Sequence, residues 1–370
     1  MKKRILILLL AVCVLIGLVS CAHITHDPVH ISEASKAESR EDSSEEESVP
    51  TGEKRFLTVH YIDVGQGDCE LIEFPDGKIM LIDAGEYDQA TKVIRYLQKR
   101  GHDRIDYLVA SHPHSDHIGA LKQIIETLPV GEIYMPDVST DTPTYIKLTE
   151  TILKKGIPTK VAKDGVKIET NGEYTIDFFG PVRIVDDLNN DSAVIMIQYG
   201  EKKFLFMADA GEEEENTLTM NLNCDVLKVG HHGSYSSSSK TFLLKSTPEI
   251  GIISCAKVND YGHPHAAALN RLLKAGVKLY GTYDNGTIVI TCDGTTLTVK
   301  TERGEDSEPS ETSGEAQDWV LNTSSKKVHC PECENIAAIS EKNRKTVHCT
   351  LDELYDQGYT DCGECRPGEQ

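Results

Sequence analysis

The sequence predicts an α/β fold in which two β-sheets are sandwiched between helices, with a small metal-stapled module behind it. Three observations carry this reading. From about Phe56 the chain opens as a β-meander and then alternates strand and helix. Four times, an apolar strand runs directly into a loop rich in His or Asp. Near the C-terminus, Cys-x2-Cys occurs at Cys330 and Cys333 and again at Cys362 and Cys365.

Taken in order, Met1-Lys2-Lys3-Arg4 and the apolar run Ile5 to Val19 have the form of a signal peptide, too short to span a bilayer. The run ends Leu18-Val19-Ser20-Cys21, which resembles the bacterial lipobox. That resemblance implies cleavage before Cys21, lipidation of its thiol and an extracytoplasmic protein. The lipid would be its one tie to the bacterial cell membrane; the other reading is an uncleaved N-terminal anchor. Residues 22–55, rich in Ser, Glu and Asp, cannot bury enough apolar surface to fold and read as an acidic tether. Extended, it reaches up to roughly 100 Å. The net charge is −21, and about half of it falls in this tether and a second acidic segment. Such a balance argues against a broad basic DNA-binding face, while leaving room for a small groove charged by bound cations.

The main domain spans 56–301. A strand from Phe56 to Val64 leads into Gly65-Gln66-Gly67-Asp68. The strands Cys69 to Phe74 and Lys78 to Ile82 form a hairpin, and the second delivers Asp83 beside Gly85. A helix follows from Tyr87 to Arg100, then a buried strand from Ile105 to Ala110 and an amphipathic helix from Ile118 to Leu128. Between those last two lies Ser111-His112-Pro113-His114-Ser115-Asp116-His117, too dense in metal-preferring groups to be core filling. Alternation sends His112 and His114 to one metal while Asp116 and His117 turn to a second; imidazole with carboxylate suits zinc, manganese or iron. Downstream, Asp209 follows the strand Lys203 to Ala208, His231 and His232 follow Asp225 to Val229, and His263 and His265 lie beyond Ile250 to Ser254.

The order Asp83, His-x-His-x-Asp-His, Asp209 and a late histidine resembles the metallo-β-lactamase superfamily. Gly-Gln-Gly-Asp, His-His-Gly-Ser and Tyr-Gly-His-Pro-His resemble more narrowly its competence-protein branch. The resemblance implies a four-layer αββα sandwich. It puts His112 and His114 on a first divalent metal and Asp116, His117 and His263 on a second. Asp209 bridges them and Asp83 orients a ligand histidine. The third first-site histidine of many members has no counterpart between 118 and 208. Asp191 is the best substitute, ahead of Asn190, and oxygen-richer ligation favours manganese or magnesium over zinc more than imidazole does. Asp116 and Asp209 are expected to hold a metal-activated hydroxide in line, with a proton supplied by His231 or His232.

Residues 302–316 are a second acidic linker, and 317–370 form the tail module, too short to bury a sizeable core. Its Cys-x2-Cys pairs suit one structural zinc; disulfides are the competing reading in an exported protein. The tail resembles the zinc-binding domain of the Ada DNA-repair proteins in Ser325 to His329, Cys333, Gly358-Tyr359 and Cys362 to Pro367. That alignment selects His329, Cys333, Cys362 and Cys365, whereas plain spacing selects Cys330 over His329; His348 and Cys349 are lesser candidates.

The function expected is a surface-anchored, metal-dependent phosphodiesterase acting on DNA, with no protein partner. Competing expectations are a hydrolase of a cell-wall phosphodiester, lactone or β-lactam, or a binding protein that merely holds metal. Changing Cys21 to Ala is expected to move the protein from the membrane fraction to the medium or leave an uncleaved precursor. Lipid labelling of that variant equal to the unmutated protein would remove the anchor.

Overall fold

In the computed structural model the described residues are 55–304 and 317–367, apart from 186, 352, 353, 355–358 and 366. The signal-peptide, tether, Cys21 and second-linker expectations therefore lie outside them, save the first linker residues 302–304. So do Gly358 and Arg366 of the Ada-like pattern.

Two sheets face each other. The first has eight strands, in the order Leu297–Thr301, Ile288–Cys292, Leu57–Tyr61, Glu70–Glu73, Ile79–Ile82, Ile105–Val109, Val130–Met135 and Thr159–Val161. The second has seven, running Lys278–Gly281, Ile250–Ile253, Val226–Lys228, Lys202–Phe206, Ile195–Tyr199, Tyr174–Phe178 and Lys167–Ile168. Strand alternation builds three apolar layers from this. Val59, Tyr61, Met80 and Ile82 point inward to meet Ile195, Ile197, Phe204 and Phe206 of the other sheet. Ile79 and Leu81 point outward, under the helices Ala90–Lys99, Leu121–Thr127 and Pro143–Lys155. Leu205 and Met207 do the same on the far side, under Lys240–Ser246 and Ala266–Lys274. The result is an αββα sandwich.

Parallel pairing positions the chemistry. Ile79–Ile82 pairs parallel with Ile105–Val109 in one sheet, and Lys202–Phe206, Val226–Lys228 and Ile250–Ile253 run parallel in the other. The C-terminal ends of these five strands carry the His and Asp loops, outside the carboxyl edge where open α/β sheets place their sites. One expected element is interrupted. The helix expected over 118–128 is two pieces, Ser115–Ile118 and Leu121–Thr127. At Gly119 a Cβ would stand 2.4 Å from Ser115 O and 2.6 Å from Tyr87 N, so the chain passes too close for any side chain.

A polar clip ties the helix Ala90–Lys99 to the first sheet. Glu73 accepts from Arg100 Nε and Nη2 at 2.8 and 2.7 Å, from His60 Nε2 at 3.0 Å and from His102 Nε2 at 2.6 Å. His60 Nδ1 then accepts from Tyr96 Oη at 2.9 Å. Burial would raise the Glu73 carboxyl, but the hydrogen bonds from His60, Arg100 and His102 hold it well below the usual carboxylate range. Burial also lowers His60. Both shifts have the same consequence: stability is complete at neutral pH. It falls as the unfolded chain protonates, below about pH 6.5 through His60 and below about pH 4.5 through Glu73. Glu73→Gln is expected to cost about 2 kcal/mol at pH 7 and to flatten the acid side of the stability curve. Denaturant titrations at several pH values check this, and an unchanged curve would refute it.

Candidate metal centre

Asp83 and Ser111 set the first group of side chains. Asp83 leaves its strand with φ +52°, a strained conformation for a non-glycine residue. Its Oδ1 accepts from Ser111 N at 2.8 Å, and its Oδ2 accepts from the Ser111 hydroxyl and from His117 Nδ1 at 2.8 Å. That last bond fixes the tautomer, so His117 presents Nε2. The side chain of His112 is fully buried, with Nδ1 3.1 Å from the Ser111 hydroxyl and Nε2 3.0 Å from His114 Nδ1.

The second sheet brings Asp209 between these groups. Oδ1 faces His117 Nε2 at 3.2 Å and His232 Nε2 at 3.4 Å, and those two nitrogens are 3.3 Å apart. Asp116 Oδ2 lies 3.2 Å from His232 Nε2 and 3.8 Å from His117 Nε2. On the other side, Oδ2 faces His112 Nε2 at 3.6 Å and His231 Nε2 at 3.7 Å. The backbone strains to achieve this: Ala208, His231 and His232 have φ of +46°, +47° and +54°.

This donor set fits divalent metal. Asp209 Oδ1 is buried without an aligned hydrogen bond, although two imidazole nitrogens converge on it. Ligands about 2.0–2.2 Å from a tetrahedral metal stand roughly 3.3–3.6 Å apart, the spacing found here. His117, Asp209, His232 and Asp68 gather as one group and His112, His114 and Asp209 as another. The protonation pattern agrees. Burial would lower His117 and His232, yet Asp209 and the neighbouring carboxylates raise both, His232 to about 10. Burial would raise Asp209, yet His232 and His117 hold it well below the usual range. Burial lowers His112 and His231 on the other side of Asp209, leaving their imidazoles neutral, the form that binds metal.

Two residues expected among the ligands stand elsewhere. The resemblance implies His263 on the second metal, but the group that could hold that ion contains His232 instead, with Nε2 3.4 Å from Asp209 Oδ1. The strand Val226–Lys228 lies next to Lys202–Phe206, so the turn after it reaches Asp209. His263 is one strand further over, its ring 5.4 and 5.7 Å from those of His231 and His232. Asp191 does not join His112 and His114; its Oδ1 accepts from Val185 N at 2.6 Å and closes its own loop. Neighbouring Asn190 is also committed: its Nδ2 donates to Asp187 Oδ2 within the loop at 2.8 Å, and its Oδ1 accepts from Gly211 N, beyond Asp209, at 3.1 Å. His265 caps the helix Ala266–Lys274, and its Nδ1 accepts from Tyr235 N at 3.1 Å.

Sequence reasoning assigned no role to Asp68 or Lys228. Lys228 is wholly buried, with Nζ 2.6 Å from Asp68 Oδ2, and Asp68 Oδ1 lies 3.3 Å from His232 Nδ1. His232 Nδ1 also donates to Ser254 O at 2.8 Å. The signals were a lysine inside an apolar strand and the acid ending Gly-Gln-Gly-Asp, but their pairing across 160 positions leaves no local trace. Gly67 has its own reason: a Cβ there would lie 2.1 Å from Asp116 O.

The model of the metallo-beta-lactamase superfamily matches residues 62–257, more than half of the sequence. The chain belongs to that superfamily. It is 26% identical over 250 residues to ComE operon protein 3 of Bacillus subtilis (strain 168), across 62% of this chain and 32% of that protein. It is 31% identical over 249 residues to Competence protein ComA of Neisseria gonorrhoeae, across 65% of this chain and 33% of that one. Thus this member of the superfamily, related to competence proteins, spans about a third of the length of those relatives. A solved metallo-beta-lactamase fold protein, YhfI from Bacillus subtilis, aligns with a TM-score of 0.41 and 16% identity, over 66% of this chain and all of its own.

The tail builds a second centre on the sheet Arg344–Cys349, Gln317–Asn322, Lys327–His329 and Thr360–Asp361. His329, Cys333, Cys362 and Cys365 gather there. His329 Nδ1 is 3.5 Å from Cys333 Sγ, and Cys333 Sγ is 3.9 Å from Cys362 Sγ. A disulfide needs about 2.0 Å, whereas the edges of a zinc tetrahedron are roughly 3.6–3.8 Å. Cys330 stands outside: its N–H donates to Cys365 Sγ at 3.3 Å, and its thiol turns to Cys365 O. His348 is exposed, paired with Asp318, and neither it nor Cys349 joins the group. Protein treated with chelator is expected to lose about one zinc from this centre and the near-ultraviolet signal of buried Trp319. Cys365→Ser and His329→Ala should abolish that binding and Cys330→Ala should spare it. Two disulfides by mass spectrometry would overturn the assignment.

Proposed function

We propose that the chain is a metal-dependent phosphodiesterase acting on nucleic acid, held outside the cell by a lipid on Cys21. The observation that supports it most is the double-sided arrangement around Asp209, in a chain related to competence proteins. Zinc or manganese, with magnesium also suited, would be held by His112, His114 and Asp209 and by His117, His232, Asp116 and Asp209. Such ions supply Lewis acidity and water of lowered pKa. The chain's own residues do the rest. Asp209 and Asp116 orient the attacking water, Asp83 holds His117, and the Lys228–Asp68 pair backs His232. His231 is assigned the proton for the leaving oxygen in this reading, supported by the 23% exposure of its side chain on the pocket wall. The tail centre is structural zinc in this reading, and no protein partner is invoked.

A second reading is favoured by one observation. Asp187, Glu212 and Glu213 line the larger cavity beside Asp209, about 640 Å³, and carboxylates repel a polyanion. Hydrolysis of a cell-wall phosphodiester, lactone or β-lactam by the same centre would accommodate them.

One set of variants decides. Asp209→Ala should lose both metals and fall to background on DNA and on an activated phosphodiester. His231→Ala should keep its metal and lose roughly 10² to 10⁴ in rate, partly restored by a better leaving group. Metal content per chain and cleavage with manganese, magnesium or zinc are the measurements. Full activity of Asp209→Ala, or intact DNA while a lactone or β-lactam turns over, would sink the nuclease reading.

A further inference from the structure

The pocket over the metal-ligand cluster is small, about 250 Å³, and is lined by Gln66, His114, Asp116, Asp209, His231 and Tyr261 among others. That volume lies below the usual range of ligand sites. It has room for a phosphate and part of one nucleoside; the adjoining cavity is lined by Asp187, Glu212 and Glu213, so a flanking nucleotide is better accommodated at the rim than there.

Tyr261 stands at that rim. It is 56% exposed, and one face of its ring is stacked on His263, with centroids 5.6 Å apart and planes 17° from parallel. The loop that carries it is fixed. Asn259 Oδ1 accepts from Tyr261 N at 3.1 Å and His263 N at 3.0 Å, and Asn259 Nδ2 donates to Ala256 O and His263 O at 2.9 and 2.6 Å. An aromatic ring held in water by a pinned loop needs no ordering when a flat partner arrives. The same loop is tied to the pocket floor, because Gln66 Oε1 accepts from Ala256 N at 3.3 Å. Gln66 lines the pocket, and its Nε2 has no acceptor among the described residues, so a small turn of the amide presents a donor to a phosphoryl oxygen.

We propose that Tyr261 and Gln66 form a subsite for one nucleotide beside the scissile phosphate, the base stacking on Tyr261 and a phosphate oxygen accepting from Gln66 Nε2. This rests on the nuclease reading and extends it: the substrate presents an unpaired base at the cut, so the preferred substrate is single-stranded. Stacking is indifferent to base identity, and cleavage should show little sequence preference.

The test walks a single abasic position along a short single-stranded oligonucleotide. With unmutated protein, KM should rise about fivefold to a hundredfold when the base is missing at one position next to the cut, and little elsewhere. Tyr261→Ala should raise KM on the intact oligonucleotide by a similar factor and abolish the position dependence, whereas Tyr261→Phe and Tyr261→Trp should keep it. Gln66→Glu, which replaces the donor by an anion, should raise KM on both intact and abasic strands. Metal per chain is measured for each variant. Retained position dependence in Tyr261→Ala overturns the subsite. Metal loss in that variant does so too, because the ring would then act by shaping the metal centre and not by stacking a base. Unmutated protein that cleaves no oligonucleotide refutes the nuclease reading itself, a distinguishable result.

Discussion

Everything at the centre depends on one buried carboxylate, that of Asp209. It enters from the second sheet and divides its oxygens between histidines on either side. A buried anion is costly unless cations answer it. Here the answer comes from the imidazole of His117 on the first sheet and from His232 beside Asp209, both raised by the neighbouring carboxylates. The sandwich must therefore hold two sheets at one separation for the charges to balance.

Supporting groups show how that is maintained. Asp83 fixes the ring of His117 and ties it to Ser111, while Lys228 and Asp68 brace the opposite face of His232. Burial opposes the charge on both members of the latter pair, yet each keeps its partner ionised. Beside them, burial and the charge of Asp68 push the Glu70 carboxyl well above its usual range. The strained residues Asp83, Ala208, His231 and His232 cluster at the same edge, the pattern expected where backbone conformation is set by the site.

Most of the architecture was legible in the sequence because strand alternation and the ends of parallel strands leave local patterns. The histidine loop and Asp209 announced themselves by residue type after a strand. His232 over His263 was not readable from spacing, since the choice turns on which strand neighbours Lys202–Phe206. Nor was the fate of Asp191, whose carboxylate serves a backbone N–H six residues away. In the tail, the sequence left His329 and Cys330 open. Strand geometry separates them, since adjacent residues of an extended chain point to opposite sides.

The stacked pair Tyr61 and Phe206, 6.2 Å between centroids, spans the two sheets well inside the core. Since the first sheet carries His112, His114, Asp116 and His117 and the second carries Asp209 and His232, the spacing of the two sheets also sets the distance between these groups. Interior packing thereby becomes a tuning element for metal affinity. A change of one methylene between the sheets, with no polar atom altered, is felt in a close-packed interior and reaches Asp209, which follows the strand of Phe206.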